Sequence, residues 1–314
     1  MDDEPIPELR PVDVVGFGAL AWDRFLVVPW FPRPGEKLRA IHAEECAGGT
    51  VGTALVALRR WGLQCRAVGL LGDDAYSDRI LGDLQEEQVD LAGLVRQPEA
   101  EGRRSTIIVD NRTGERSVVS GPHRVPDYPP DFFARRQLHG ARVLHLDTSL
   151  GAAALPAALL AKAGGVRVTL DAERVFPGVE KLLAACDVVI ASMQFAVALT
   201  GADKLSLAAY GVHLRTAGAG VVTVVTDGER GCECLDGEQQ FAVPAVPVPV
   251  VDSTGAGDVF HAAYVYGMLS AWDVRKTLRF AAWAAAQSCR EIGGRKGIPA
   301  LDAVKEYLRQ DAAS

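Results

Sequence analysis

The 314-residue sequence predicts an α/β protein: a mainly parallel central sheet flanked by helices, with a small β-sheet lid. Three observations predict it. Apolar strand-like runs alternate with helix-like segments along most of the chain. Two pairs of strands lack a crossover helix. A glycine turn near the C-terminus joins an extended segment to a buried helix. Alternation of this kind sets parallel strands side by side and puts helices on both faces.

Val12 to Gly18 is an almost unbroken apolar run, the pattern of a strand covered on both faces. Thr50 to Trp61 is rich in Ala, Leu and Val and stops at Gly62, so it reads as a helix. Arg66 to Leu71 reads as a strand and Tyr76 to Glu87 as a helix. The alternation continues through Arg142 to Leu146, Ala152 to Ala163, Val166 to Leu170, Lys181 to Ala185, Val188 to Ala191, Ser206 to Thr216 and Val221 to Thr226. Two regions interrupt it. Arg24 to Val28 and Lys37 to Glu44 are strand-like around a turn carrying Pro29, Pro32, Pro34 and Gly35. Ser105 to Asp110 and Arg116 to Ser120 read as a hairpin around Asn111-Arg112-Thr113-Gly114. Together these four predict a lid, residues 22–45 and 103–121, over a single domain spanning 12–314. Residues 1–11, with four acids and three prolines, read as a flexible tail.

The net charge of −7 argues against a broad basic surface for nucleic acid. No apolar run reaches the roughly 18 residues of a membrane span. The N-terminus is acidic and has no apolar targeting core, so a cytoplasmic protein is expected. Of the six cysteines only Cys232 and Cys234 are close, at a spacing that suits no zinc knuckle. Buried free thiols are expected instead.

The chemistry concentrates in Asp252-Ser253-Thr254-Gly255-Ala256-Gly257-Asp258. This string follows a valine-proline strand, Val246 to Val251, and precedes Val259 to Ala271, which suits a buried helix. Unpaired amides gather at a helix start, and small residues let a phosphate approach them closely. Asp258 is the odd member, because a carboxylate beside a phosphate cradle repels the ligand. It makes sense as the base that takes a proton from an attacking hydroxyl during phosphoryl transfer. The helix N-terminus is expected to favour its ionised form. Alone, Gly-Ala-Gly-Asp is more often a capped turn; the whole string at this junction favours a site.

That string closely resembles the C-terminal signature of the ribokinase-like (PfkB) carbohydrate kinases, Asp-Thr-x-Gly-x-Gly-Asp, with Ser253 in the threonine position and Thr254 kept. The resemblance extends over nearly the whole chain. Gly48-Gly49 looks like the family's sugar-side Gly-Gly segment, and Gly69 to Asp74 like its Gly-x-x-Gly-x-Asp continuation. Asp23 matches an aspartate that binds substrate hydroxyls. Thr226 to Gly231 matches the Thr-x-Gly-x-x-Gly nucleotide segment, and Gly293 to Pro299 falls where the family closes the adenine and cation side.

The resemblance implies ATP-dependent phosphorylation of a small sugar or sugar-like substrate. It implies Asp258 as base, with Gly255, Ala256 and Gly257 as the anion hole. Asp23, Gly48, Gly49 and Thr53 would bind substrate; Thr226, Gly228, Gly231, Asp252, Thr254 and Gly293 would bind ATP. ATP and Mg2+, a monovalent cation such as K+, and a homodimer through the lid are implied with it. No metal ligand is assigned. Taken singly, Asp23 reads as a surface turn residue, and Arg295 and Lys296 as solvated charges. Two departures stand out. Thr53 replaces the usual asparagine, and Ser192-Met193-Gln194-Phe195 replaces the Asn-x-x-Glu element linked to magnesium and phosphate. A nucleoside kinase of the same fold, with a base pocket from Trp22, Trp30 and Phe31, and a non-catalytic sugar or nucleotide sensor are the alternatives. Gly16 to Ala21 fits a dinucleotide fingerprint, but a strand and three prolines follow where that fingerprint needs a helix.

Overall fold

Val14–Phe17 form strand β1, and all four residues are buried, as an unalternating apolar run requires. The computed structural model describes residues 9–124, 127–129, 131–201, 206, 209, 212 and 222–311. In it β1 lies inside a nine-stranded sheet ordered β13-β12-β11-β10-β9-β8-β1-β4-β5. The other strands of this sheet are β4 (Cys65–Leu71), β5 (Asp90–Arg96), β8 (Val143–Asp147), β9 (Arg167–Ala172), β10 (Val188–Ser192), β11 (Val222–Thr226), β12 (Cys232–Asp236) and β13 (Gln239–Val243). From β11 to β5 every pairing is parallel; β12 and β13 close one edge as an antiparallel hairpin.

Period-two alternation sends the residues of β1 to opposite faces. Val14 joins a core with Leu55 and Leu58 of helix α1 (Thr50–Arg60), Val259 of α6 (Ala256–Leu269) and Phe280 of α7 (Val274–Ser288). Val15 and Phe17 join the other core, under α3 (Ala154–Ala163), α4 (Val179–Ala185) and α5 (Met193–Thr200). Two further α-helices are α2 (Ala75–Glu86) and α8 (Leu301–Asp311). After β1 the chain passes through Gly18–Leu20 directly into a strand, which removes the dinucleotide reading.

That strand, β2 (Ala21–Val28), belongs to a second, four-stranded sheet ordered β3-β2-β6-β7, with β3 (His42–Gly48), β6 (Arg103–Asp110) and β7 (Arg116–Ser120). Phe25, Val27, Ile107 and Val109 point to its inner face and pack with Cys46 and Ile292. Asp23 and Ser105, paired in register, continue that inner face towards the main sheet.

Two expected strands change. The segment expected over Lys37 to Glu44 pairs only from His42 and runs on to Gly48. Val246 to Val251 forms no ladder. Pro247 and Pro249 remove two of its amide donors, and the amides of Val251 and Asp252 donate to the carbonyl of Cys289 rather than to a neighbouring strand. The helix expected over 206–216 and the tail over 1–11 fall largely outside the described residues. All six cysteines are free, and all but Cys46 are buried. Among the described residues no helix is long and apolar enough to cross a membrane.

Candidate active site

Parallel strands end on one edge of the main sheet, and the strand order reverses between β1 and β8, the place where such sheets bind ligands. Apolar strands β8 and β9 each carry one acid at that edge, Asp147 and Asp171. Asp147 ties three segments together. Its Oδ2 accepts from the Ala19 amide at 2.7 Å and from Thr50 Oγ1 at 2.6 Å, and its Oδ1 accepts from the Ser149 amide at 2.8 Å. The turn before β2 and the start of α1 are thereby pinned to the end of β8.

Asp23, Gly48, Gly49 and Thr53 come together beside this junction. An added Cβ on Gly48 would lie 2.0 Å from Asp23 Oδ2, so only glycine admits the carboxylate there. Gly49, at φ 86°, starts α1. Thr53 is buried, and an added Cβ on Gly294 would stand 3.6 Å from its Oγ1. Arg295 supports the group from behind. It is buried, pairs with Asp83 and donates from Nη2 to the Gly48 carbonyl at 3.0 Å. Arg295 is therefore not the solvated charge expected of it, because a partner 212 residues away neutralises it. Lys296, paired with Glu44, stays at the surface. Burial pushes Asp23 up to about 6, against a hydrogen bond from Ser105 and the charge of Arg295.

The turn from Asp252 is built round one carboxylate. Asp252 Oδ1 accepts from the Thr254 amide at 2.9 Å and hydroxyl at 2.7 Å; Oδ2 accepts from the Gly293 amide at 2.9 Å. Asp252, Thr254 and Gly293 thus clamp two loops together. Gly255 caps α6 at φ 75°, and a Cβ there would sit 2.5 Å from Gly294 Cα. The lid reaches this turn: Arg116 Nη1 of β7 donates to Ser253 Oγ at 2.7 Å.

Asp258, half-buried in the first turn of α6 after Gly255, Ala256 and Gly257, makes no hydrogen bond among the described residues. Its charge state differs from the expectation. Burial first, then the charges of Asp171 and Glu173, hold its carboxyl well above the usual carboxylate range; Arg116 opposes them. Burial, with the acids at the ends of β8 and β9, outweighs one helix terminus. Burial likewise holds Asp171 high and keeps its neighbour His261 neutral, at about 4, so their 3.2 Å contact is a hydrogen bond rather than an ion pair. Glu173, just past β9, is pushed up to about 7, first by the charge of Asp171.

Thr226, Gly228 and Gly231 lie further along the edge. Thr226 ends β11 in register with Ser192 of β10, two strands or about 10 Å from β9. Gly228 and Gly231 turn the chain into β12 at φ 56° and 89°. Ser192 accepts from the Phe195 amide at 3.1 Å and Phe195 is buried, so that turn presents no carboxylate. Trp22 and Trp30 donate to Glu45 and Glu36 respectively, on different parts of the lid. No motif in the sequence marks Asp147, Asp171 or Glu173. The available signal was a lone acid closing an apolar strand, in Leu144-His145-Leu146-Asp147 and Thr169-Leu170-Asp171.

A glycine-built turn at a helix start, a carboxylate behind it and a lid above are parts that a small-molecule phosphotransferase needs. A sequence model of the pfkB family carbohydrate kinase matches residues 12–301, and the chain belongs to that family. It is an ATP-dependent phosphotransferase acting on a sugar hydroxyl. An ATP-dependent ribose-1-phosphate kinase of Halopiger xanaduensis is 27% identical over 302 residues, covering 95% of this chain and 99% of the relative. A bifunctional ribokinase/ribose-5-phosphate isomerase A of Fructilactobacillus sanfranciscensis is 24% identical over 310 residues, and this chain spans 56% of its length. The structure of Arabidopsis thaliana ribokinase complexed with ribose and ATP superposes with a TM-score of 0.79 at 22% identity, covering 96% of this chain and 99% of that one.

Proposed function

We infer that this chain transfers the γ-phosphoryl group of ATP to a hydroxyl of a small sugar, with Asp258 as general base. The observation that carries this reading is the position of Asp258. It stands on the anion turn, in the electrostatic field of β8 and β9, between the Asp23 group and the ends of β10 and β11. Sugar lies against Asp23, Gly48, Gly49 and Thr53. ATP lies across Thr226, Gly228, Gly231, Asp252, Thr254 and Gly293. The two ligands then meet above β9.

Phosphoryl transfer needs mainly positioning and charge stabilisation. Amides of Gly255, Ala256 and Gly257 stabilise the transferring group. Asp258 takes the proton of the attacking hydroxyl. Its raised pKa makes it a stronger base that is harder to ionise, and the best compromise lies near the working pH. Arg116 shifts the balance towards the ionised form, and it is a lid residue, so the base is readied where the lid rests on the turn. The lid also excludes water and limits hydrolysis of ATP.

Mg2+ fits the oxygen donors present. Among the described residues no three potential ligands cluster, which suits an ion held mainly by phosphates and water with one carboxylate. Glu173 would be that carboxylate, since a cation relieves the repulsion that raises it. The ion would neutralise charge on the phosphates. K+ would bind beside the loops clamped by Asp252. A homodimer would form through the lid, whose edge strand β7 is exposed throughout; a monomeric mass in sedimentation would remove that element.

The test is ADP release across a panel of sugars, run in K+ and in Na+. We expect turnover with at least one sugar, dependent on Mg2+ and faster in K+. ATP binding without phosphorylation of any sugar would overturn the reading.

Asp23→Asn separates binding from stability. A carboxyl raised from 3.8 to about 6 on folding favours the fold fully below pH 3.8 and loses that contribution as pH climbs through 6. At pH 8 the loss amounts to about 3 kcal/mol. The asparagine variant should therefore melt higher than wild type at pH 8, by up to about that free energy, while its KM for sugar rises. Equal melting of the two proteins at pH 8 would contradict the burial argument.

A further inference from the structure

Two glycines make room for a buried arginine and a buried carboxylate behind the sugar anchors. Arg295, on the loop after α7, is 6% exposed and donates from Nη2 to the Gly48 carbonyl at 3.0 Å. Gly52 lies inside α1, where glycine costs stability relative to alanine. A Cβ there would stand 2.7 Å from Arg295 Nη2, so its absence opens the slot that the guanidinium fills. Gly48 makes the matching allowance for Asp23, whose Oδ2 would lie 2.0 Å from a Cβ at that position. Carboxylate and guanidinium thus converge on Gly48, one against its α-carbon and the other on its carbonyl.

A buried cation is costly without a counter-charge, and Asp83 of α2 supplies one at Nη1. Two apolar side chains would fill the same space without that cost. What they would not supply is a charge. That charge reaches Asp23: burial raises its carboxyl, and the hydrogen bond from Ser105 and the charge of Arg295 oppose the rise. The other groups around Asp23 do not replace it. Cys46 faces it from β3, and burial pushes that thiol up to about 12, leaving it neutral. Glu44 and Lys296 form an ion pair and offset each other. Ser105 of β6 and Thr53 of α1 carry no charge.

We propose that Arg295 is a positioning residue of the sugar site: braced by Asp83, it fixes the Gly48 carbonyl and supplies the positive charge that keeps the Asp23 carboxylate free to accept from sugar hydroxyls. It touches no substrate and acts through Gly48 and Asp23. An ionised carboxylate accepts at both oxygens, whereas a protonated one gives up part of that capacity to its own proton. The same loop packs Gly294 between Thr53 and Gly255, so displacing it disturbs the sugar side before the base. The proposal rests on the sugar-kinase reading of Asp23 and Gly48 and deepens it.

Carboxyl carbon NMR follows the ionisation of Asp23 in the unliganded protein, its signal assigned through Asp23→Asn. Wild type should titrate at about 6. Arg295→Met should move that midpoint up by about one unit, the low end of a nearby charge's effect, and Arg295→Lys should restore most of the shift. Removing the arginine alone strands Asp83, so the double variant Arg295→Met/Asp83→Leu, which removes both charges, is measured beside it, and melting curves establish folding. ADP release over a panel of free pentoses and hexoses gives the second readout. At pH 7 the KM for sugar should rise about tenfold in the charge-removing variants, while kcat and the KM for ATP stay within about twofold. Gly52→Ala keeps both charges and crowds Nη2 off the Gly48 carbonyl, so it should raise the KM for sugar and leave the Asp23 midpoint in place. An Asp23 midpoint unmoved in the folded charge-removing variants overturns the proposal, as does an equal rise in the KM values for sugar and ATP. The two readings fail separately. A midpoint that moves in a protein phosphorylating no sugar supports the link from Arg295 to Asp23 and removes the kinase chemistry; turnover with an unmoved midpoint does the reverse.

Discussion

Asp258→Asn should lower kcat by about 100- to 10,000-fold, the usual worth of a positioned general base. In free energy that is about 3 to 5 kcal/mol of barrier. Asparagine keeps the shape of the side chain and loses only its ability to take a proton. The fold should survive, since Asp258 makes no hydrogen bond among the described residues. Stability should respond in the opposite direction to activity. A carboxyl held well above its ordinary range favours the folded state below its unfolded pKa and loses that contribution as pH rises through the folded value. Asparagine avoids the loss, so the variant should melt at least as high as wild type at pH 8, with the gap closing towards pH 4. ADP release and melting curves across pH measure both effects. A variant turning over near the wild-type rate would remove Asp258 from the chemistry; one that lost activity and stability together would make it a structural residue.

What the sequence made legible follows from which interactions are local. The anion turn and Asp258 are contiguous, so their residue types could be read directly. The alternation of strands and helices was equally visible, because each element carries its own periodicity. Convergence of Asp147, Asp171 and Glu173 was not. They belong to β8 and to the end of β9, and only the sheet order places them against α6, more than 80 residues on in sequence. Burial first, and then these non-local acids, reverse the charge state that the helix N-terminus alone suggested for Asp258. Arg295 shows the effect at a single residue: its neighbours in the chain say surface, and Asp83 and the Gly48 carbonyl make it interior. Val246 to Val251 erred the other way. Its valines suggest a strand, but the nearby prolines leave too few donors to make one.

Arg116→Met should move the acidic limb of the kcat/KM–pH profile to higher pH. The sign follows from the charges round Asp258. Burial, Asp171, Glu173 and Asp147 all favour its protonated form, and among the described residues Arg116 opposes them. Methionine keeps much of the apolar stem and deletes the charge, so a larger fraction of the base stays protonated at neutral pH. At pH 7 kcat/KM should fall, and raising the pH should recover part of the loss because the base can still be ionised. A second part should not recover. The guanidinium also donates to Ser253 Oγ and so holds the lid against the anion turn. The bond is exposed, so water can satisfy Ser253 and the loss falls on lid placement rather than on stability. Arg116→Lys distinguishes the two contributions. Lysine restores the charge but not the planar fork, so it should return the acidic limb close to its wild-type position while leaving part of the deficit at the high-pH plateau. If neither variant shifts the limb, Arg116 has no influence on the ionisation of the base. The lid then acts only as a cover, and the pH at which Asp258 ionises is set by the strand-end acids and the bound ligands.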